Sequence, residues 1–198
     1  MKNKFLILIA FIFSTTVFTG CEKDDPEIKG TAVQPMAGEW YVKYELKNED
    51  GTFEDISGYT RVMTSNTSDN AADKMWIGDV FINPREVDTR AAATSGEFWT
   101  YMVKANVNLG DMTFNADDKS VVVEKARPAT ATAPARPATP YDINVKITDG
   151  KIIKGGSTPP SGTTTDSIVF MVQFEDDEPG TVYRASGYRR TGFLEDEH

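Results

Sequence analysis

The 198 residues carry 21 Lys and Arg against 30 Asp and Glu, a net charge of −9. That balance lacks the basic footprint by which proteins hold nucleic acid, and it opposes electrostatic adhesion to anionic lipid. The length suits one domain with a sizeable core, and Cys21, the sole cysteine, has no disulfide partner in the chain.

Residues 1–20 read as a secretory signal peptide. Lys2 and Lys4 form a basic start, Phe5 to Phe18 is mostly apolar, and the small residues Thr19 and Gly20 precede Cys21. The apolar run is short for a membrane span. Phe18-Thr19-Gly20-Cys21 resembles the lipobox of bacterial lipoproteins, in which the cysteine is acylated and becomes the first residue of the mature chain. The resemblance implies lipid attachment at Cys21 and a membrane anchor of several acyl chains, each buried CH₂ contributing about 0.8 kcal/mol. Glu22-Lys23-Asp24-Asp25 is similar to the surface-export signal of some Gram-negative lipoproteins; it reads equally well as a solvated charge run. The expected location is therefore the cell envelope, as an outer-membrane lipoprotein, with surface exposure left open. Residues 21–35, with Pro26 and Gly30, read as a flexible tether, and 36–198 as one domain.

The domain opens on a strand from about Glu39 to Lys47. Trp40, Val42, Tyr44 and Leu46 share one side of it, and Glu39, Tyr41, Lys43 and Glu45 the other. Asn48 to Gly51 is turn chemistry, and a second extended stretch lies near Tyr59 to Thr64. Ser65 to Asp73 is polar and turn-rich. Lys74 to Asn83, with Met75, Trp76 and Ile77, reads as a largely buried strand, and Gly78 as a bulge or close approach. Pro84 to Ser95 reads as a loop. Phe98 to Leu109 alternates cleanly, with Trp99, Tyr101, Val103, Ala105, Val107 and Leu109 on one face. Extended segments follow at Met112 to Phe114 and Val121 to Val123.

Residues 126–140 are low in complexity: Ala-Arg-Pro-Ala-Thr occurs at 126–130 and 135–139. With Pro128, Pro134, Pro137 and Pro140 the segment is expected to be an excursion outside any central strand. Tyr141 to Thr148 alternates again, and Asp149-Gly150 signals a tight hairpin into Lys151 to Lys154. Gly155 to Thr165 reads as a loop, Ile168 to Phe174 and Thr181 to Arg190 as strands, and Thr191 to His198 as a terminal tail. About eight to ten short strands without a long amphipathic helix predict an all-β, antiparallel sandwich or barrel. The up-and-down barrel is preferred, because it closes its edges and at about eight strands can hold a small ligand.

The sequence offers little for catalysis. His198 is the only histidine and the last residue, no Gly-x-Ser-x-Gly turn occurs, and no glycine-rich phosphate loop occurs. Zinc lacks ligands. Asp69, Asn70 and Asp73, like Glu175 to Glu178, do not follow the calcium-loop pattern, so no metal and no cofactor is expected. Paired carboxylates could serve glycoside hydrolysis, but sequence selects no pair among 30 acids. The aromatic residues suggest binding instead. Trp40, Tyr44, Trp76, Trp99, Tyr101 and Phe170 are the candidates to line an apolar cavity; the bland alternative is ordinary core packing. Turned outward, such aromatics would offer a platform for glycans or a protein partner.

Gly38-Glu39-Trp40 resembles the Gly-x-Trp of lipocalins, which implies a Trp closing one barrel end beneath a basic residue of the last strand; Arg184, Arg189 and Arg190 are the candidates. More of the chain is similar to bacterial lipoproteins labelled lipid-binding putative hydrolases, which are lipocalin-like. The resemblance is carried by Gly38 to Val42, Asn66 to Asn70, Met75-Trp76-Ile77, Asp149 to Ile152, Asp166-Ser167-Ile168 and Tyr188 to Phe193. The insert at 126–140 departs from it. The resemblance implies a lipid or small apolar ligand and leaves hydrolysis open, with no catalytic motif to carry over.

Overall fold

The computed structural model describes residues 30–79, 101–124, 128–135, 137 and 139–198. Residues 31–198 form a compact unit of their own. Among the described residues the strands are β1 (Gly38–Lys47), β2 (Phe53–Asp55), β3 (Thr60–Asn66), β4 (Lys74–Asp79), β5 (Met102–Asn108), β6 (Thr113–Glu124), β7 (Thr139–Ser157), β8 (Thr165–Phe174) and β9 (Tyr183–Arg189). Each pairs antiparallel with its sequence neighbour from β3 onward, and β9 returns to β1 over Trp40↔Arg189 to Leu46↔Tyr183. The result is the expected up-and-down barrel: eight strands closed on themselves, with β2 as an extra strand. On the edge away from β9, β1 gives Gly38–Val42 to β3 and Glu45–Lys47 to β2, so β2 continues the wall where β3 stops.

The alternation read in the sequence sets which side chains enter. Trp40, Val42 and Tyr44 of β1, Val103 and Ala105 of β5, and Ile168, Phe170, Val172 and Phe174 of β8 all join one buried apolar cluster. Antiparallel register then divides the connections between two ends. The turn before β1, residues 67–73, 109–112 and 158–164, and the C-terminal segment lie at one end. Residues 48–59 and 175–182 lie at the other, with the end of β4, the start of β5, the end of β6 and the start of β7.

Four features differ from expectation. First, Val33 is fully buried in the core beside Met36, so the last residues read as tether pack with the domain. Second, Asp149-Gly150 makes no hairpin. β7 runs on through it, and the register with β6 shifts by one residue, from Ala116↔Ile147 to Phe114↔Gly150. Asp149 takes φ 54°, the left-handed conformation that a hairpin turn and a β-bulge both use. The bulge has a packing purpose. Ile143, Val145 and Ile147 face inward at odd positions, and after the inserted residue Ile152 faces inward at an even one. A Cβ on Gly150 would stand 2.5 Å from the Phe114 ring, so glycine is needed for this close approach.

Third, Pro140 does lie in a strand, opposite Val123 of β6. The β7–β8 ladder begins only at Val145, so Pro140 has a strand partner on one side alone, where proline is tolerated. Fourth, residues 191–198 fold back onto the outer face of β1 and β9. Leu194–Asp196 forms a 3-10 turn, and Asp196 is buried. Its carboxylate accepts from Ser161 N (2.7 Å), Ser161 Oγ (2.7 Å) and Thr191 Oγ1 (2.5 Å). Burial opposes its ionisation, yet these donors outweigh burial and hold its pKa below the usual carboxylate value.

Candidate functional site: the barrel interior and its two ends

One end of the interior is closed by Trp40. Its indole Nε1 donates to Thr64 Oγ1 at 2.9 Å, and that hydroxyl donates onward to the Met36 carbonyl at 2.6 Å. The buried indole N–H and the Thr64 hydroxyl thus both have partners, as a water-free position requires. Arg189, opposite Trp40 in the β1–β9 ladder, lays its guanidinium over the indole, Cζ 4.6 Å from the ring centroid. Its Nη1 donates to Ala37 O at 2.6 Å and its Nη2 to Pro35 O at 3.3 Å. Its Nε lies 3.3 Å from Asp166 Oδ2, which also receives Lys154 Nζ at 2.8 Å. Burial works against the Asp166 charge, but Lys154, the Gly155 amide and Arg189 prevail and lower its pKa. Of the three arginines proposed to cover the tryptophan, Arg189 does so. Arg184 instead makes a bidentate pair with Glu45, and that hydrogen bonding holds the Glu45 pKa below normal. Arg190 pairs with Glu197.

Toward the other end the interior becomes more aromatic and gains hydroxyls. The Tyr44 and Tyr101 hydroxyls meet at 3.1 Å, both side chains buried. Tyr101 packs edge-on to Phe174 (5.6 Å between centroids), and Phe174 packs against Tyr183 (6.0 Å). Between the two ends the lining is aliphatic, with Val42, Val62, Val103, Ile147 and Val172, and Phe170 lies 5.9 Å from Phe114. The interior is thus apolar along its length, covered at one end by Trp40 and Arg189 and carrying a hydroxyl pair toward the other. Such a lining suits a hydrocarbon ligand.

The sequence candidates therefore separate. Trp40, Tyr44, Tyr101 and Phe170 come together on the interior face. Trp76 does not. Met75 and Ile77 take the inward positions of β4, so Trp76 points outward, half-buried, with Lys104 Nζ 5.2 Å from its ring centroid. Trp99, with residues 80–100, and Cys21 lie outside the described residues.

Sequence reasoning missed an aromatic cluster on the outer face of the barrel. His198 stacks on Tyr59 at 4.0 Å and meets Tyr41 edge-on at 5.1 Å. Its Nε2 lies 2.5 Å from the Tyr188 hydroxyl. Burial pushes the Tyr188 pKa up to about 12 and lowers that of His198. The histidine expected at a loose terminus is thus fixed in place, by partners that only the closed barrel assembles. The nearby Ser161 hydroxyl donates to Asp196; in a serine nucleophile relay it would donate to the imidazole. The wiring is that of a latch holding the tail.

A search of curated proteins found no match to the chain. A family model described as lipid-binding putative hydrolase matches residues 25–194, which spans the whole barrel. With a sealed apolar barrel and most of its length in that match, the chain belongs to the lipid-binding putative hydrolase family.

Proposed function

We propose that the protein holds a lipid or another small apolar molecule inside the barrel while an acylated Cys21 keeps it at the outer membrane. The observation that carries the first part is the gradient along the interior. Trp40 and Arg189 seal one end, aliphatic side chains follow, and the Tyr44–Tyr101 hydroxyl pair stands near the other. A chain of about ten methylenes transferred into such a lining gains about 8 kcal/mol before the cost of immobilising it. Native mass spectrometry of the gently purified protein tests this. An acyl-chain compound that is bound stoichiometrically and released on denaturation is the expected result. A protein that is empty and takes up no apolar fluorescent probe would sink the reading.

The anchor rests on Cys21 following a signal-like segment. Cys21→Ala is expected to move the protein from the membrane fraction to the soluble fraction; retention in the membrane would count against acylation. A second reading, an outer-face contact with a glycan or protein, draws support from the outward Trp76 beside Lys104.

A further inference from the structure

The turn between β8 and β9 lies at the end opposite Trp40 and carries Glu175, Asp176, Asp177 and Glu178. Glu175, Asp176 and Glu178 are exposed, as acids of a solvated turn are expected to be, but Asp177 is half-buried. Its backbone N–H donates to Phe174 O at 3.3 Å, which folds the turn back toward the end of β8. Its side chain hydrogen-bonds Tyr183, the first residue of β9. Asp177 Oδ2 is buried and has no hydrogen-bond partner among the described residues.

Tyr183 ties this carboxylate to the interior. It stands opposite Val172 of β8, which is fully buried in the core. Directly opposed residues of an antiparallel pair point to the same face, so Tyr183 holds an inner-face position. Its ring packs against Phe174, Phe174 packs against Tyr101, and the Tyr101 hydroxyl meets that of Tyr44. A continuous aromatic path therefore runs from the Tyr44–Tyr101 hydroxyls to Asp177. The other sheltered carboxylates of the barrel gather several donors: Asp166 receives Lys154 Nζ and the Gly155 amide, and Asp196 receives Ser161 and Thr191. Asp177 has a tyrosine hydroxyl, and no Lys or Arg among the described residues offsets its charge. Burial pushes its pKa up, the Tyr183 hydrogen bond works against that, and the charge of Asp176 adds to the rise.

We infer that Asp177 receives the cationic head of a ligand whose apolar chain lies in the barrel, so that single-chain amines are preferred to fatty acids. The inference rests on the apolar-ligand reading above. An ammonium at Oδ2 gives that oxygen a charge-assisted hydrogen bond and supplies the counter-charge that the protein does not. The chain attached to it then runs along Tyr183 and Phe174 toward the aliphatic lining at Val172. A fatty-acid carboxylate in the same orientation meets Asp177 as a like charge.

The test is displacement of N-phenyl-1-naphthylamine, a neutral fluorescent apolar probe, by decylamine, decanol and decanoate at neutral pH. Cys21→Ala is carried throughout so that no attached acyl chain takes up the probe. Decylamine is expected to displace the probe at about one-tenth of the decanoate concentration, the worth of one charge-assisted hydrogen bond. Asp177→Asn keeps the shape of the side chain and is expected to abolish that preference, with displacement by decanol unchanged. Asp176→Asn removes the neighbouring exposed charge and is expected to leave the preference in place. That control separates a contact at Asp177 from the general attraction of an acidic protein for amines. Equal displacement by decylamine and decanoate in the parent protein, a preference that survives Asp177→Asn, or equal loss of it in both variants would each overturn the assignment while leaving interior binding intact. If the parent protein binds no probe, the ligand reading fails and the assignment falls with it.

Discussion

Gly187→Ala is expected to disrupt closure of the barrel. Gly187 sits in β9 between Val42 of β1 and Ile168 of β8. A Cβ there would stand 1.8 Å from the Tyr41 carbonyl oxygen and 2.8 Å from Val42 Cα. Those are backbone atoms of the strand that closes the sheet, so no rotamer change relieves the clash. β1 and β9 would have to separate, which breaks the register from Trp40 to Leu46 and opens the core. The cost is set at upwards of about 3 kcal/mol, the top of the range for overpacked interiors. Urea denaturation would show it as a large fall in midpoint or as loss of soluble protein. Gly58→Ala is the control, since a Cβ there meets nothing within 4 Å. Equal midpoints for the two variants would show that the β1–β9 contact is looser than described.

Trp40→Ala carries the second large effect. The side chain is fully buried, and its removal leaves a cavity at the sealed end, at a cost of about 3–5 kcal/mol. The Arg189 guanidinium loses the ring it covers. Trp40→Phe separates the components. It keeps a ring but deletes the indole N–H that meets Thr64, while Thr64 still donates to the Met36 carbonyl. The expected cost of that change is about 1 kcal/mol from the hydrogen bond, plus the smaller ring's lost contacts. If alanine destabilises no more than phenylalanine in urea midpoints, the indole does not seal the barrel by packing.

Much of the architecture was legible because one signal, period-two alternation, governs most of it. β1 and β5 each read as one apolar face alternating with polar residues, β8 reads as a face of Ile168, Phe170, Val172 and Phe174, and those faces turn inward. Gly38-Glu39-Trp40 pointed to a tryptophan under a basic residue of the last strand, and Arg189 fills that role. The misreadings have local causes. Asp149-Gly150 supplies a positive φ, and nothing local tells whether a hairpin or a bulge will use it. The longer-range sign was the phase change from Ile147 to Ile152, which a hairpin does not require. In β4 the run Met75-Trp76-Ile77 is apolar at every position, so alternation could not assign the tryptophan; its neighbours' packing turns it toward Lys104. The tail's latch depends on Ser161, Tyr59 and Tyr188, residues distant in sequence that meet only once the sheet has closed.

The central claim, that an apolar ligand occupies the barrel interior, is tested most directly by methyl NMR of isoleucine-labelled protein titrated with N-phenyl-1-naphthylamine. Ile77, Ile147 and Ile168 line the interior, whereas Ile56 and Ile153 are exposed. Saturable shifts at the first three and little change at the last two are the expected result. Shifts confined to Ile56 and Ile153, with the interior methyls unmoved, would contradict it and place apolar binding on the outer surface.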